Sequence, residues 1–151
     1  MIEEMVYFKK LHSEARAPER AYNDLRYPDA GWDLFALQRA VVGAGKAVLI
    51  PTGIAIELPE GSMDHFFEAQ VRSRSGLRLK GIFCPVGTID AGYRGDVGCV
   101  MVNITDEPYT IEKGEKMCQL VVVKLPRVKM VEMAELKSSD RGEKGFGSSG
   151  K

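Results

Sequence analysis

The stretch Gly87-Thr88-Ile89-Asp90-Ala91-Gly92-Tyr93-Arg94-Gly95-Asp96 concentrates three glycines, two carboxylates, an arginine and an aromatic ring between two apolar runs. Glycine lacks the Cβ that holds a ligand away from the main chain, so such a stretch can bring backbone groups close to a small molecule. Asp90 stands at its tip, near Tyr93. A surface hairpin that only turns the chain has the same composition, so other segments must decide. Arg72-Ser73-Arg74-Ser75-Gly76-Leu77 crowds guanidinium groups and hydroxyls around a glycine. Such a segment can cradle phosphate through backbone N–H groups, hydroxyls and a forked arginine, or equally form a solvated basic turn. Near the C-terminus, Phe146 is a lone aromatic in a Gly/Ser run. It can close over a flat base while Arg141, Ser148 and Ser149 meet phosphates. Gly145 to Lys151 also fits the spacing of a Walker loop, but neither the strand before it nor the helix after it that such a loop needs is present in the pattern.

Short strands must position these residues. Ile82-Phe83-Cys84 and Val97 to Val102 flank the central stretch and predict a hairpin whose tip carries Asp90. Further strands are expected at Met5–Lys10, Trp32–Ala36, Ala47–Ile50, Ile54–Leu58, Phe66–Val71, Tyr109–Ile111, Met117–Val123 and Val128–Met133, with turns rich in Gly, Pro and Asp between them. A helical turn is expected at Leu77–Lys80, and Ala15–Pro28 reads as an extended connection. Many short strands at roughly 8 to 12 residue spacing argue for an all-β sandwich or jelly-roll-like barrel. Residues 1–136 form the expected core, and 137–151, rich in Ser, Gly and charge, a flexible lid.

Composition narrows the class of protein. A chain of 151 residues is the size of one domain. Its 21 basic and 21 acidic residues cancel, which argues against a nucleic-acid partner bound by bulk electrostatics. No apolar run approaches the ~20 residues of a membrane span, and the start Met1-Ile2-Glu3-Glu4 is acidic. An intracellular protein is expected, cytoplasmic, or nuclear for a eukaryotic or viral source. Cys84, Cys99 and Cys118 lie in apolar runs and read as core hydrophobes in a reducing compartment. His12 and His65 are far apart, so a zinc site or a Cys-His nucleophile has little support.

Five separated segments together resemble the trimeric deoxyuridine triphosphate nucleotidohydrolases. They are Ala30-Gly31-Trp32-Asp33-Leu34, Arg74-Ser75-Gly76-Leu77, Gly87 to Gly95, Gly114 to Leu120, and Arg141 with Gly145-Phe146-Gly147-Ser148-Ser149-Gly150. Two departures border the phosphate segment: Ser73 stands where the family usually has proline, and Arg78 where it has a small residue. The resemblance implies a β-clip or jelly-roll-like distorted barrel with at most one short helix. It implies Mg²⁺-dependent hydrolysis of dUTP to dUMP and pyrophosphate, which keeps uracil out of DNA and supplies dUMP for thymidylate synthesis. Asp90 is the implied base for a water attacking the α-phosphorus. Arg74, Ser75, Gly76, Gln119, Arg141, Gly147, Ser148 and Ser149 are implied phosphate ligands. Gly87, Thr88, Ile89, Asp90, Tyr93 and Phe146 are implied to hold uracil and deoxyribose, with Tyr93 excluding a ribose 2′-hydroxyl. Asp33 is implied to touch the metal through water, and a homotrimer with shared sites is implied as well. On the same fold, dCTP deamination needs a glutamate shortly after the hairpin. Here those positions read Asp96-Val97-Gly98-Cys99-Val100. A non-catalytic jelly-roll protein that merely keeps the pocket is the alternative from another class.

Overall fold

The computed structural model describes residues 3–145. Period-two burial drives most of the fold. In β6 (His65–Ser73), Phe67, Ala69 and Val71 point inward while Glu68, Gln70 and Arg72 stay half-exposed. In β9 (Cys99–Asn103) the inward set is Cys99, Met101 and Asn103. Such alternation buries one face of a pleated strand and wets the other. The remaining strands are β1 (Tyr7–Lys10), β2 (Trp32–Phe35), β3 (Ala40–Val42), β4 (Ala47–Ile50), β5 (Ile54–Glu57), β7 (Ile82–Phe83), β8 (Gly87–Ile89), β10 (Tyr109–Ile111) and β11 (Lys116–Pro126). One short helix, α1 (Ser75–Leu79), starts two residues earlier than the sequence suggests and buries Leu77.

The strands form four small antiparallel sheets around one apolar cluster: β1-β5, β3-β10, β2-β11-β6-β8 and β4-β9-β7. This is the jelly-roll-like all-β architecture that the sequence leads one to expect. Leu34, Ile50, Ile54, Ile82, Met101 and Met117 are among the largest fully buried side chains. Buried Asn103 is also satisfied: its amide donates to the carbonyls of Val42 (2.9 Å) and Glu107 (2.7 Å), and its oxygen accepts the Thr105 N–H at 2.8 Å. A fully hydrogen-bonded amide of this kind shapes a turn without the penalty of an unpaired buried polar group.

Two expectations need correction, and one strand lies outside those expected. Val128–Met133 forms no strand; its apolar side chains are exposed, because the β6 partner of β11 runs out at His65↔Pro126. Ala40–Val42 is a strand, too short and too near Gly43 for its pattern to show. The central stretch is not a simple hairpin either. β7 and β9 do pair, with Ile82↔Asn103 and Phe83↔Val102, but Gly87–Ile89 leaves them and adds to β6 in another sheet. Ala15–Pro28 is irregular as expected, closed onto β2 by the single bridge Glu19↔Asp33.

Candidate active site

The residues with chemical potential fall into two groups at opposite ends of the β6/β8 ladder. The first is an anion corner. β11 brings Gln119 opposite Asp33 of β2 and Arg72 of β6, so β2, β11 and β6 converge where Arg74 leaves the sheet. The Asp33 side chain is 17% exposed and lies between two cations, with Arg74 Nε 3.1 Å from one oxygen and Lys116 Nζ 2.8 Å from the other. A register shift between Lys116 and Cys118 falls just where Lys116 turns toward Asp33. Such a bulge is a common means of re-aiming a side chain. Arg74 Nη1 also donates to the Lys116 carbonyl at 3.4 Å, and Gln119 Nε2 donates to the Ser73 carbonyl at 3.3 Å. Gly31 is required here by close approach, since a Cβ would stand 2.7 Å from the Leu120 carbonyl oxygen and 3.1 Å from Gln119 Oε1. Ser75 and Gly76 open α1 beside this corner and are exposed.

Ser73, one of the two departures, turns its hydroxyl to the main chain of Cys84. Its hydroxyl donates to the Cys84 carbonyl at 2.7 Å and accepts the Cys84 N–H at 2.8 Å, so one side chain satisfies both main-chain groups of Cys84. The Arg72–Leu77 segment is thereby fastened to the start of the chain that runs into β8.

The second group is the stretch from Gly87 to Asp96. The register Val71↔Gly87, Gln70↔Thr88 and Ala69↔Ile89 carries the chain away from Arg74. Asp90, the next residue, is exposed at the tip, where its carbonyl accepts the Tyr93 N–H at 3.0 Å. Arg94 braces this tip by donating to the carbonyls of Ala91 (2.8 Å) and Tyr93 (3.0 Å). The Tyr93 ring lies across Gly95, where a Cβ would meet its hydroxyl oxygen at 2.4 Å, and the hydroxyl donates to the Asp96 carbonyl at 3.0 Å.

Asp90 would pair opposite Glu68, six residues from Arg74, so at 3.3 Å per residue the two lie about 20 Å apart within one chain. That exceeds what an arginine side chain can span. Two grooves of about 270 and 290 Å³ flank β1, and neither includes Asp33, Arg74, Gln119 or Asp90. One chain therefore brings Arg74, Gln119 and Asp33 together and keeps Asp90 and Tyr93 elsewhere. Arg141 is exposed and donates to the Lys144 carbonyl at 3.1 Å. Phe146, Gly147, Ser148 and Ser149 lie outside the described residues.

Sequence reasoning passed over Lys116 and Asp96 as individual residues, although both stand inside segments it singled out. Spacing alone could not reveal that Lys116 pairs with a residue 83 positions away, or that the Asp96 carboxylate points at Thr52 and Gly53. All three cysteines are buried, as their apolar runs suggest. Hydrogen bonding to the Cys99 thiol, then burial, pushes the Cys84 thiol up, and contact with Cys118 does the same for Cys99. Little thiolate is available at Cys84 or Cys99 for nucleophilic chemistry.

For a metal, no group of three or more His, Cys, Asp or Glu side chains suited to holding an ion occurs among the described residues. Magnesium bound through phosphates and waters needs no such cage. Asp33 fits an outer, water-mediated role, since a carboxylate has about four lone-pair positions and two cations leave some of them free.

The family model for dUTPase matches residues 15–150. Curated relatives named deoxyuridine 5'-triphosphate nucleotidohydrolase include those of Clostridium acetobutylicum, 45% identical over 145 residues and 94% of each chain, and Clostridium tetani, 42% identical over 154 residues and the full length of both. Among solved structures, the dUTPase of Staphylococcus bacteriophage 80alpha with dUPNHPP superposes with a TM-score of 0.83 at 33% identity, covering 97% of this chain and 98% of that one. A point mutant of the dUTPase from phage phi11 of S. aureus, described with the coordination of a structural Mg(II) ion, gives 0.77 at 26% identity over 89% of this chain and 99% of that one. With a matching family model over nearly its whole length and full-length relatives above 40% identity, this chain belongs to the dUTPase family.

Proposed function

We propose that the protein hydrolyses dUTP to dUMP and pyrophosphate at a site assembled from more than one copy of the chain. The observation that carries this reading is the separation of Arg74 from Asp90 along the β6/β8 ladder, about 20 Å at strand rise. A water held by Asp90 must attack the phosphorus whose neighbouring oxygens Arg74 binds. A second copy has to bring its Gly87–Asp96 stretch to the first copy's anion corner. The homotrimer of the family supplies such a closed arrangement, in which each interface is heterologous and the ring closes after three copies.

In this reading Asp90 accepts a proton from the attacking water. The new P–O bond forms at the α-phosphorus, the bond to the bridging β-oxygen breaks, and pyrophosphate leaves. General-base help of this kind is worth about 10²–10⁴-fold. Asp90 is exposed on a braced turn, which suits a base that must reach a ligand. Arg74, Gln119 and the exposed start of α1 at Ser75 and Gly76 hold phosphate oxygens, and Asp33 keeps Arg74 aimed at them. Bound Mg²⁺ offsets phosphate charge and orients the chain of phosphates, with Asp33 the residue that would meet it through water. Backbone groups of Gly87, Thr88 and Ile89 read uracil, and the Tyr93 ring packs under the sugar. Residues 137–151 form the lid, with Arg141, Gly147, Ser148 and Ser149 on phosphates and Phe146 over the base. The product dUMP serves thymidylate synthesis, and removal of dUTP keeps uracil out of DNA, in the cytoplasm or, for a eukaryotic or viral source, the nucleus.

The test is pyrophosphate release with Mg²⁺ from dUTP, dTTP, dCTP and UTP side by side. Release from dUTP alone is the expected result. Equal release from UTP or dTTP would mean that the sugar gate or the uracil slot is wrongly placed, and release from none would leave a nucleotide-binding protein.

A further inference from the structure

The base of the Gly87–Asp96 stretch is anchored by a residue assigned no ligand. Where the stretch rejoins the core, Val97 is fully buried and its N–H donates to the Ile54 carbonyl at 2.8 Å. Just before it, the Asp96 carboxylate is engaged at both oxygens. One accepts the Thr52 N–H at 3.0 Å and the other the Gly53 N–H at 2.8 Å. The Thr52 hydroxyl, buried at 1% exposure, lies 2.9 Å from the Val97 carbonyl and 3.3 Å from the same Asp96 oxygen, and it accepts the Ile54 N–H at 3.2 Å. The main-chain carbonyl of Asp96 is the group that accepts the Tyr93 hydroxyl at 3.0 Å.

We propose that Asp96 is a positioning residue for sugar selection. Its carboxylate clamps residue 96 onto the Thr52–Gly53 turn, and its carbonyl, fixed by that clamp, holds the Tyr93 ring over Gly95. The proposal rests on the reading that Tyr93 packs under the sugar. The chemistry of the clamp is specific to a carboxylate. Two convergent N–H donors need two acceptor oxygens, whereas an amide offers one oxygen and one NH₂ group that would face a donor with a donor. Asp96→Asn therefore keeps size and shape while breaking one arm of the clamp. With the carbonyl free to drift, the Tyr93 ring loses its fixed seat and a ribose 2′-hydroxyl meets a yielding wall.

The experiment compares wild type, Asp96→Asn and Tyr93→Phe in kcat/KM for dUTP and UTP, with melting temperature and oligomeric state as fold controls. Discrimination against an added hydroxyl in a fitted pocket is on the order of 10². Asp96→Asn is expected to lower the dUTP/UTP ratio about tenfold or more, chiefly by improving UTP, while kcat on dUTP stays near wild type. Tyr93→Phe, which cuts the tether at its exposed end, is expected to act in the same direction, and the double variant to add little, because both break one connection. An activity-independent readout is the NMR resonance of the Tyr93 ring in protein labelled at tyrosine, assigned by its loss in Tyr93→Phe. It is expected to move toward the shift of a freely rotating tyrosine in Asp96→Asn. A folded Asp96→Asn protein with wild-type discrimination and an unmoved Tyr93 resonance overturns the proposal. If Asp96→Asn fails to fold, unchanged UTP exclusion by Tyr93→Phe overturns it instead. If wild type takes neither nucleotide, or both alike, the functional reading has failed, and the resonance alone then supports or refutes the clamp.

Discussion

If Arg74 and Asp90 of one chain serve different sites, two inactive variants should repair each other. Arg74→Ala removes the cation paired with Asp33 at 3.1 Å, and Asp90→Asn removes the base. Each variant alone lacks one component at every site. In an oligomer formed from an equal mixture, a site is complete when the copy giving the anion corner is the Asp90→Asn chain and the copy giving the hairpin is the Arg74→Ala chain. Each condition is met half the time, so about a quarter of the sites recover in any closed heterologous ring. That the two residues serve different sites rests on the register of β6 against β8, which puts them about 20 Å apart at 3.3 Å per residue. The assay is pyrophosphate release from dUTP after co-refolding the variants at varied ratios. Activity should follow the product of the two mole fractions and peak at one to one. A mixture no more active than the sum of its parents, with mixed oligomers demonstrated by mass spectrometry, would refute the reasoning and return both residues to a single-chain site.

Asp90→Asn by itself is expected to keep nucleotide binding and assembly while turnover falls about 10²-fold or more, read by steady-state kinetics beside calorimetric binding. Ser73→Ala strips both main-chain groups of buried Cys84 of their partner. A cost of about 2 kcal/mol, equivalent to a fall of roughly 4–8 °C in Tm, is expected by thermal denaturation, and an unchanged Tm would show that water replaces the hydroxyl. A chain ending before Asp140 is expected to stay folded, since the core strands end at Pro126, yet to lose most activity; full activity would remove the lid from the mechanism. Cys84, Cys99 and Cys118 are buried, with Cys84 and Cys99 pushed above the ordinary thiol range, so a disulfide reagent at pH 8 should label them only on unfolding. Rapid labelling of the folded protein would contradict that burial.

The linear chain determined what depends on local chemistry. Short apolar runs such as Phe66–Val71 and Val97–Val102, and the turn residues between them, were enough for an all-β domain with one helical turn near Leu77. Residue types at Arg74, Asp90 and Tyr93 drew attention to a candidate anion segment and a candidate ligand-facing turn, because such groups announce their chemistry without a partner, whereas a role for Gln119 came only from the family resemblance. Tertiary structure decided what depends on partners distant in sequence. Gly87–Ile89 leaves the expected hairpin for β6, since a three-residue strand has no pattern of its own and takes the edge that is open. Val128–Met133 has strand-like residues but no ladder on which to lie. Nothing local shows that Lys116 and Arg74 close on Asp33, or that Thr52 and Gly53 meet the Asp96 carboxylate. The separation of Arg74 from Asp90 is likewise a property of register, which a sequence carries only through the packing of whole strands.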